Sequence, residues 1–495
     1  MANIQIVETS LRDGNQSLWA ALGIDTGRTL TIAPIMDRVG FKAIDFTTST
    51  HMGVAVRYKK EDPWERIRLM AKATPHTPLQ FLSTGFRFIS WETASPEFMK
   101  LAFSTLAKNG IRRFALADPM NHADSNIACA RMIKEVGGEF VVAALVFTIT
   151  PIDDDARYVE RARKLAACPD IDALYIKDPG GLLTPLRART LIPAIKAVTG
   201  DKPLELHSHC TIGLGELVYM DAPRWGVGTV QCASGAASDG ISNPPVERVV
   251  TNLRELGHQI DIDDEALAEV GRYFTRLAEA EGLPVGHPQA FDAAYFHHQL
   301  PGGMTGTMRR HLAESKLAHL ESEVIEELGR VRQELGWPIV MTPFSQMLLT
   351  QAVMNVTRQE RYAVVPDEVI RYALGRFGKP SLPIAPEVMD RIDSLPRTRE
   401  LRQEPDMPPI AELRRRIGPH LSDEEFLLRA TMPGDQVDAM KAAGPAAQTY
   451  NPELAPVMRL LRELAARRDI ARLSVEKQGF RLQVTGRTSR GKTPA

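Results

Sequence analysis

Short apolar runs alternate with helical patterns about eight times over roughly the first 260 residues, and this rhythm limits the fold more than any other feature of the chain. Strand-like segments are expected at residues 3–8, Lys42–Phe46, Leu79–Leu82, Arg113–Ala117, Glu139–Thr148, Ile171–Ile176, Pro203–Leu206 and Thr229–Ala233. Between them lie stretches whose apolar positions return every three or four residues, such as Ile32, Ile35, Met36 and Val39 within Asp25–Val39. Pro63 falls just after Asp62, where a helix has a spare first-turn position, and Gly110 closes the helix expected at 96–109. Doubly wound sheets commonly use five or six strands, so this count predicts an α/β fold of the TIM (β/α)8 barrel type.

The rhythm then stops. Ala266–Ala280 reads as helix, His298–Gly306 as a loop, and 307–335, 344–355 and 366–373 as helices without intervening strands. A polar helical region spans Pro409–Pro445, and one more helix is expected over Leu454–Arg467. A hairpin turning at Gln478-Gly479 follows, with a disordered tail from Thr485. The expected division is therefore a barrel at 1–300, a mainly helical domain at 301–470, and a short hairpin and tail at 471–495.

Charge narrows the function classes. The chain has 60 basic and 61 acidic residues, a net charge of -1, so nothing points to nucleic acid or an anionic membrane as partner. No apolar run has the length of a membrane span, and Met1–Ser10 has no basic region followed by an apolar core, which makes the cytoplasm the expected compartment. Four cysteines do not make a disulfide framework.

Chemistry concentrates at strand ends. In Leu204-Glu-Leu-His-Ser-His-Cys-Thr-Ile-Gly, period-two alternation puts His207 and His209 on one side and Cys210 on the other. Two such imidazoles serve either a divalent metal or hydrogen bonds to neighbours. Asp13 follows the first strand and Lys177 ends the sixth. One carboxylate and two imidazoles form a partial shell for zinc, manganese or cobalt. A protonated Lys177 is repelled by such an ion, whereas the neutral amine or its carbamate can donate to it; a salt bridge to Asp13 or Asp178 is the other reading.

Leu11-Arg-Asp-Gly-Asn-Gln-Ser-Leu, Glu61-Asp-Pro-Trp-Glu-Arg, Ile176-Lys-Asp-Pro-Gly-Gly-Leu-Leu, Leu206-His-Ser-His, Pro301-Gly-Gly-Met and Thr342-Pro-Phe-Ser-Gln-Met occur in this order. Together they resemble the carboxyltransferase segment of biotin-dependent enzymes: the carboxyltransferase-bearing chain of pyruvate carboxylase, the oxaloacetate decarboxylase alpha subunit and the transcarboxylase 5S subunit. The first motif alone also fits aldol-type lyases and synthases related to hydroxymethylglutaryl-CoA lyase. The resemblance implies that Asp13, His207 and His209 are metal ligands and that Lys177 is the carbamylated fourth. It implies a helical funnel over the barrel mouth, where carboxybiotin enters and a small keto or otherwise enolisable acid exchanges the carboxyl group. Gln16 is similar to the family's substrate-contacting glutamine, and Arg12 is either an anion contact or structural. Biotin carboxyl carrier protein and biotin carboxylase are expected as separate chains, and the chain itself as a homodimer or larger.

Two departures stand out. Thr84, in Phe81-Leu-Ser-Thr-Gly-Phe-Arg, occupies the place of the family's pyruvate-clamping arginine, with Arg87 three residues on. Ile241, in Gly240-Ile-Ser-Asn-Pro, replaces the proton-shuttling threonine, with Ser242 adjacent. Arg87 and Ser242 are thus candidate contacts for substrate or biotin. The altered pocket leaves open an acceptor other than pyruvate, a biotin-independent lyase, synthase or C–C bond hydrolase, or a subunit serving assembly alone. Lys441, in Asp438-Ala-Met-Lys-Ala, mimics a biotinylation core, but its helical and coil flanks do not make the required hairpin tip. Ser345 and Lys379 are assigned architectural roles.

Overall fold

The computed structural model describes residues 2–358, 360–454, 457, 460, 461, 463, 464, 472–477 and 480–485. Eight parallel strands close into a barrel: β1 (Gln5–Glu8), β2 (Ala43–Thr48), β3 (Leu79–Ser83), β4 (Ile111–Leu116), β5 (Phe140–Val146), β6 (Ala173–Asp178), β7 (Leu204–Ser208) and β8 (Val227–Cys232). Each pairs with its sequence neighbour, and β1 closes on β8 with Glu8 opposite Cys232. The helices expected between them form the outer layer, and their starts follow local chemistry. Asp25 accepts from Arg28 N, Asp62 from Trp64 N and Ser95 from Phe98 N, each capping a first turn.

The barrel interior has two characters. Leu82, Ala115, Ala117, Val142, Ala144, Val146, Ala173 and Tyr175 fill the β3–β6 side, with Ile339 and Met341 of the later helical region packed onto them. The β7–β8 side carries Glu205, His207 and Gln231, all buried. Glu205 bonds Arg113 at 2.6 Å and Lys42 at 3.1 Å across the interior.

Glu8 is fully buried at the end of β1. Its Oε1 accepts from Ser10 N and Ser234 Oγ, while Oε2 has no partner. Burial pushes this carboxyl from 4.5 up to about 7. A raised folded-state pKa gives stability that is complete below 4.5 and is lost as pH rises through about 7. Glu8→Gln is expected to remove that slope, worth at most about 3 kcal/mol. Denaturation midpoints across this window test it; parallel profiles for the two proteins contradict it.

The helices after the barrel pack in two groups. Those from Gly302–Glu314 to Pro396–Arg402 bury Leu328, Phe344, Leu348, Tyr372 and Ile392 in a core of their own. Ile410–Ile417, Asp423–Thr431 and Gly434–Ala443 instead bury Leu413, Phe426, Val437 and Met440 against the barrel's helical layer. Three stretches differ from the sequence expectations. Helix Gly302–Glu314 begins within the expected loop, because Pro301 O accepts from Met304 N and Thr305 N and starts the turn despite two glycines. Ser49–Val54 and Ala55–Lys59 are helical although no apolar periodicity announces them. Pro386–Ser394 and Pro396–Arg402, each opening on proline, add two helices.

At the carboxyl end, Arg472–Lys477 pairs antiparallel with Phe480–Thr485, Lys477 opposite Phe480. The turn Gln478-Gly479, most of the helix expected over Leu454–Arg467 and the tail after Thr485 lie outside the described residues. Among the described residues no helix is long and apolar enough to cross a membrane.

Candidate metal centre

Beyond β1 the chain makes a wide helical turn, Ser10–Gly14, in which Asp13 N and Gly14 N both donate to Thr9 O at 2.8 and 3.1 Å. Turns of this width place side chains where a regular helix does not. Gly14 permits it: a Cβ there falls 2.5 Å from Ala237 O. Arg12 Nη1 lies 2.9 Å from Asp13 Oδ2, and Arg12 Nε donates to Asp45 Oδ2 at 2.7 Å. Of the two readings open for Arg12, the geometry favours the structural one, because its fork ties the Asp13 turn to β2.

The β6–β7 register sets Lys177 beside His207, both turned inward. His207 Nε2 is 3.1 Å from Asp13 Oδ2, and His209 Nε2 is 3.5 Å from Asp13 Oδ1. Lys177 Nζ is 3.2 Å from His207 Nε2 and 3.7 Å from Asp13 Oδ2. Asp178, the other salt-bridge partner considered for Lys177, accepts instead from Leu182 N, Leu183 N and Ser208 Oγ.

These donors fit a divalent ion. Ligand atoms of Asp13, His207 and His209 lie within 4.8 Å of one another, and all three residues are buried. Asp13 Oδ2 has no aligned hydrogen bond; it is held by the charge of Arg12 at 2.9 Å and faces His207 Nε2 at 3.1 Å. His209 Nδ1 lies 2.8 Å from Ile241 O; a carbonyl only accepts, so Nδ1 carries the proton and Nε2 presents its lone pair to the centre. His207 Nδ1 is similarly engaged by Gln231 Oε1 at 2.9 Å. Burial, reinforced by Lys177, pushes His207 down to about 3, so its ring is neutral at ordinary pH. Burial opposes ionisation of Asp13, but Arg12, His209 and Lys177 hold it well below the usual carboxylate range. Burial pulls Lys177 down to about 8 against the attraction of Asp13.

The other predicted residues separate. Gln16 follows the Asp13 turn in the short helix Asn15–Trp19, and its Oε1 is buried without a partner. Arg87 lies under the Phe377 ring, 5.1 Å from its centroid, and donates to Thr84 O at 3.2 Å. Ser242 Oγ donates to Ala237 O at 2.8 Å inside its own loop. Neither of these two side chains bonds to Asp13, Lys177, His207 or His209. Cys210 is not part of the ligand cluster. Lys441 sits on the helix Gly434–Ala443 and pairs with Glu425 at 2.7 Å. Sequence reasoning did not find Gln231, Asn243 or the Ile241 carbonyl. Asn243 Nδ2 lies 3.4 Å from His207 Nε2 and donates to Ser208 O; its only sequence signal is its place in the Gly240-Ile-Ser-Asn-Pro motif.

Comparison with known proteins gives the family. Residues 3–273 match the HMGL-like family model, and residues 296–476 match a conserved carboxylase domain. A pyruvate carboxylase subunit of Methanocaldococcus jannaschii is 35% identical over 392 residues, covering 79% of this chain and 68% of that protein. The chain belongs to the carboxyltransferase family of biotin-dependent enzymes. Another relative of this carboxyltransferase, the 2-oxoglutarate carboxylase large subunit of Hydrogenobacter thermophilus, is 32% identical over 87% of this chain and 67% of its own length. The carboxyl transferase domain of Rhizobium etli pyruvate carboxylase shares its fold, with a TM-score of 0.82 at 21% identity over 99% of this chain and 84% of that one. The carboxyltransferase barrel thus carries the Asp13, His207 and His209 cluster at the carboxyl ends of its strands.

Proposed function

We propose that this chain moves a carboxyl group between carboxybiotin on a separate carrier protein and a small keto or otherwise enolisable acid other than pyruvate. The observation that carries the reading is the convergence of Asp13, His207, His209 and Lys177, at or just beyond the carboxyl ends of β1, β7 and β6, on one buried point. Asp13, His207 and His209 would hold a divalent ion there, and Lys177, as its carbamate, would complete the shell. That ion supplies Lewis-acid stabilisation of negative charge developing on the acceptor's oxygen.

The protein's own groups do the rest. Arg12 and Asp45 hold the Asp13 turn rigid, so the carboxylate is presented to the ligand cluster already oriented. Gln16, with an unpartnered Oε1, positions the acceptor. Ile241 offers a side chain without an exchangeable proton, so proton movement between acceptor and biotin relies on another group. Thr84 gives the acceptor's carboxylate a hydroxyl where relatives offer a guanidinium, and Arg87 is engaged with the Thr84 carbonyl and Phe377. This altered anion contact supports an acceptor differing from pyruvate. Biotin carboxyl carrier protein and biotin carboxylase act as separate chains, the protein assembles at least as a homodimer, and it works in the cytoplasm. The domain division of this reading is a barrel at 1–300, a helical region at 301–470 whose helices over Ile410–Ala443 pack on the barrel's outer layer, and the hairpin beyond.

The reading is tested by supplying purified protein with carboxylated biotin carrier and a panel of 2-oxo acids. Transfer of labelled carboxyl to one acid, lost in Lys177→Ala, is expected. Turnover of free substrate in the complete absence of biotin points instead to an aldol-type lyase. Co-purification with a carboxylase, without transfer and without any effect of Lys177→Ala, points to an assembly role.

A further inference from the structure

His207 Nε2 stands between opposing neighbours. Lys177 Nζ at 3.2 Å and Asn243 Nδ2 at 3.4 Å are donors and favour a lone pair there. Asp13 Oδ2, at 3.1 Å, is an acceptor and draws a proton onto the same nitrogen. The contest is decided at the other side of the ring, where Nδ1 meets Gln231 at 2.9 Å. A glutamine amide can turn either way; presenting its oxygen requires a protonated Nδ1, and presenting its NH2 requires the reverse.

Glu205 fixes that choice. Gln231 Nε2 lies 3.3 Å from Glu205 Oε2. Arg113 Nη2 donates to both Glu205 oxygens at 2.6 and 2.7 Å, Lys42 Nζ lies 3.1 Å from Oε1, and Arg113 Nε is held by Gln80 Oε1 at 2.7 Å. A carboxylate so surrounded by donors accepts only, so the face of Gln231 turned toward it is the NH2 group. Its oxygen therefore faces His207.

We infer that Glu205, acting through Gln231, is a positioning residue that sets the tautomer of His207, keeping the proton on Nδ1 and the Nε2 lone pair directed at the ligand cluster. The relay is buried along its length, from Arg113 through Glu205 and Gln231 to His207, each no more than 3% exposed. No bond in it involves His209, whose proton is fixed independently by the Ile241 carbonyl.

The inference rests on the metal reading above only for its consequence, so the test has two readouts. In protein labelled with 15N-histidine and prepared without metal, the ring-nitrogen shifts of His207 are expected to show a protonated Nδ1 in the natural protein. They are expected to move toward the other tautomer in Gln231→Met, which removes the acceptor while leaving the Arg113–Glu205 pair intact. Cobalt affinity of the same variant is expected to fall 10- to 100-fold, the range for loss of a residue supporting a ligating histidine. The exchange Glu205→Gln with Gln231→Glu, which moves the carboxylate one step along the relay and restores an obligate acceptor at Nδ1, is expected to recover both signals. Unchanged His207 shifts in Gln231→Met overturn the inference. So does an exchanged protein that stays folded yet shows the shifts of Gln231→Met. Failure of the natural protein to bind cobalt, with shifts as expected, overturns the metal reading and leaves the tautomer relay standing.

Discussion

His207→Ala is expected to lower carboxyl transfer by more than about 100-fold and to weaken divalent-ion binding at the proposed centre, with the barrel still closed. The imidazole is fully buried, and its Nε2 lies within contact distance of Asp13 and Lys177. No other side chain among the described residues offers a replacement imidazole at that point, since His209 approaches Asp13 through the other oxygen. Removing His207 would leave Asp13, His209 and Lys177 as the remaining groups around the ion, one short of the proposed shell. His209→Ala is expected to behave alike. Metal content by plasma mass spectrometry, measured beside the transfer rate on the same preparations, checks both. Full activity in metal-free His207→Ala contradicts the proposed chemistry.

The largest expected stability effect lies deeper in the barrel. Arg113→Leu is expected to cost about 3–5 kcal/mol, because it strands Glu205 in the interior with only Lys42 as a cationic neighbour. Arg113 and Glu205 are exposed by no more than 3% of their side-chain surface. Breaking one side of such a pair is much worse than removing both, since the remaining charge keeps its desolvation cost. Arg113→Leu combined with Glu205→Leu is therefore expected to recover part of the loss, although Lys42 then loses its carboxylate. Chemical-denaturation midpoints of the single and double variants test this. A single variant as stable as the natural protein shows that the pair is not what holds this part of the interior.

How much of this was legible in the residues follows from what each pattern depends on. The barrel was readable because its strands and helices differ in period, and β5, with the sequence Phe-Val-Val-Ala-Ala-Leu-Val, is apolar on both faces, as a strand covered on each side must be. His207 and His209 were readable because spacing by two in a strand means one face. Asp13 joins them only through closure of β1 on β8, a long-range event that local pattern does not report; its place after a strand made it a candidate, and the family motif implied its role as a ligand. Nothing in the local pattern marks Arg113, Glu205 and Gln231 as partners of one another. In a closed barrel the same positions face inward, where they must satisfy one another. Ser242 shows the converse. Its place beside Ile241 suggested a substitute hydroxyl, but the loop turns Oγ onto Ala237 O, and the Ile241 backbone rather than any side chain of the pair contacts His209.

The helical region was legible in kind and less so in detail. Pro301-Gly-Gly resembles a loop by composition, yet the Pro301 carbonyl begins a helix that runs to Glu314. The assignment of Ile410–Ala443 to the barrel's side depends on Leu413 and Phe426 meeting residues far earlier in the chain, among them Phe98, whose ring lies 6.2 Å from that of Phe426.

Anomalous X-ray diffraction from crystals of the protein grown with cobalt or manganese tests the central claim most directly. The account predicts one strong peak bonded to Asp13 and to Nε2 of both His207 and His209 at about 2.0–2.2 Å, with additional density continuing from Lys177 Nζ. An anomalous map without a peak there, in protein that still transfers the carboxyl group, contradicts it.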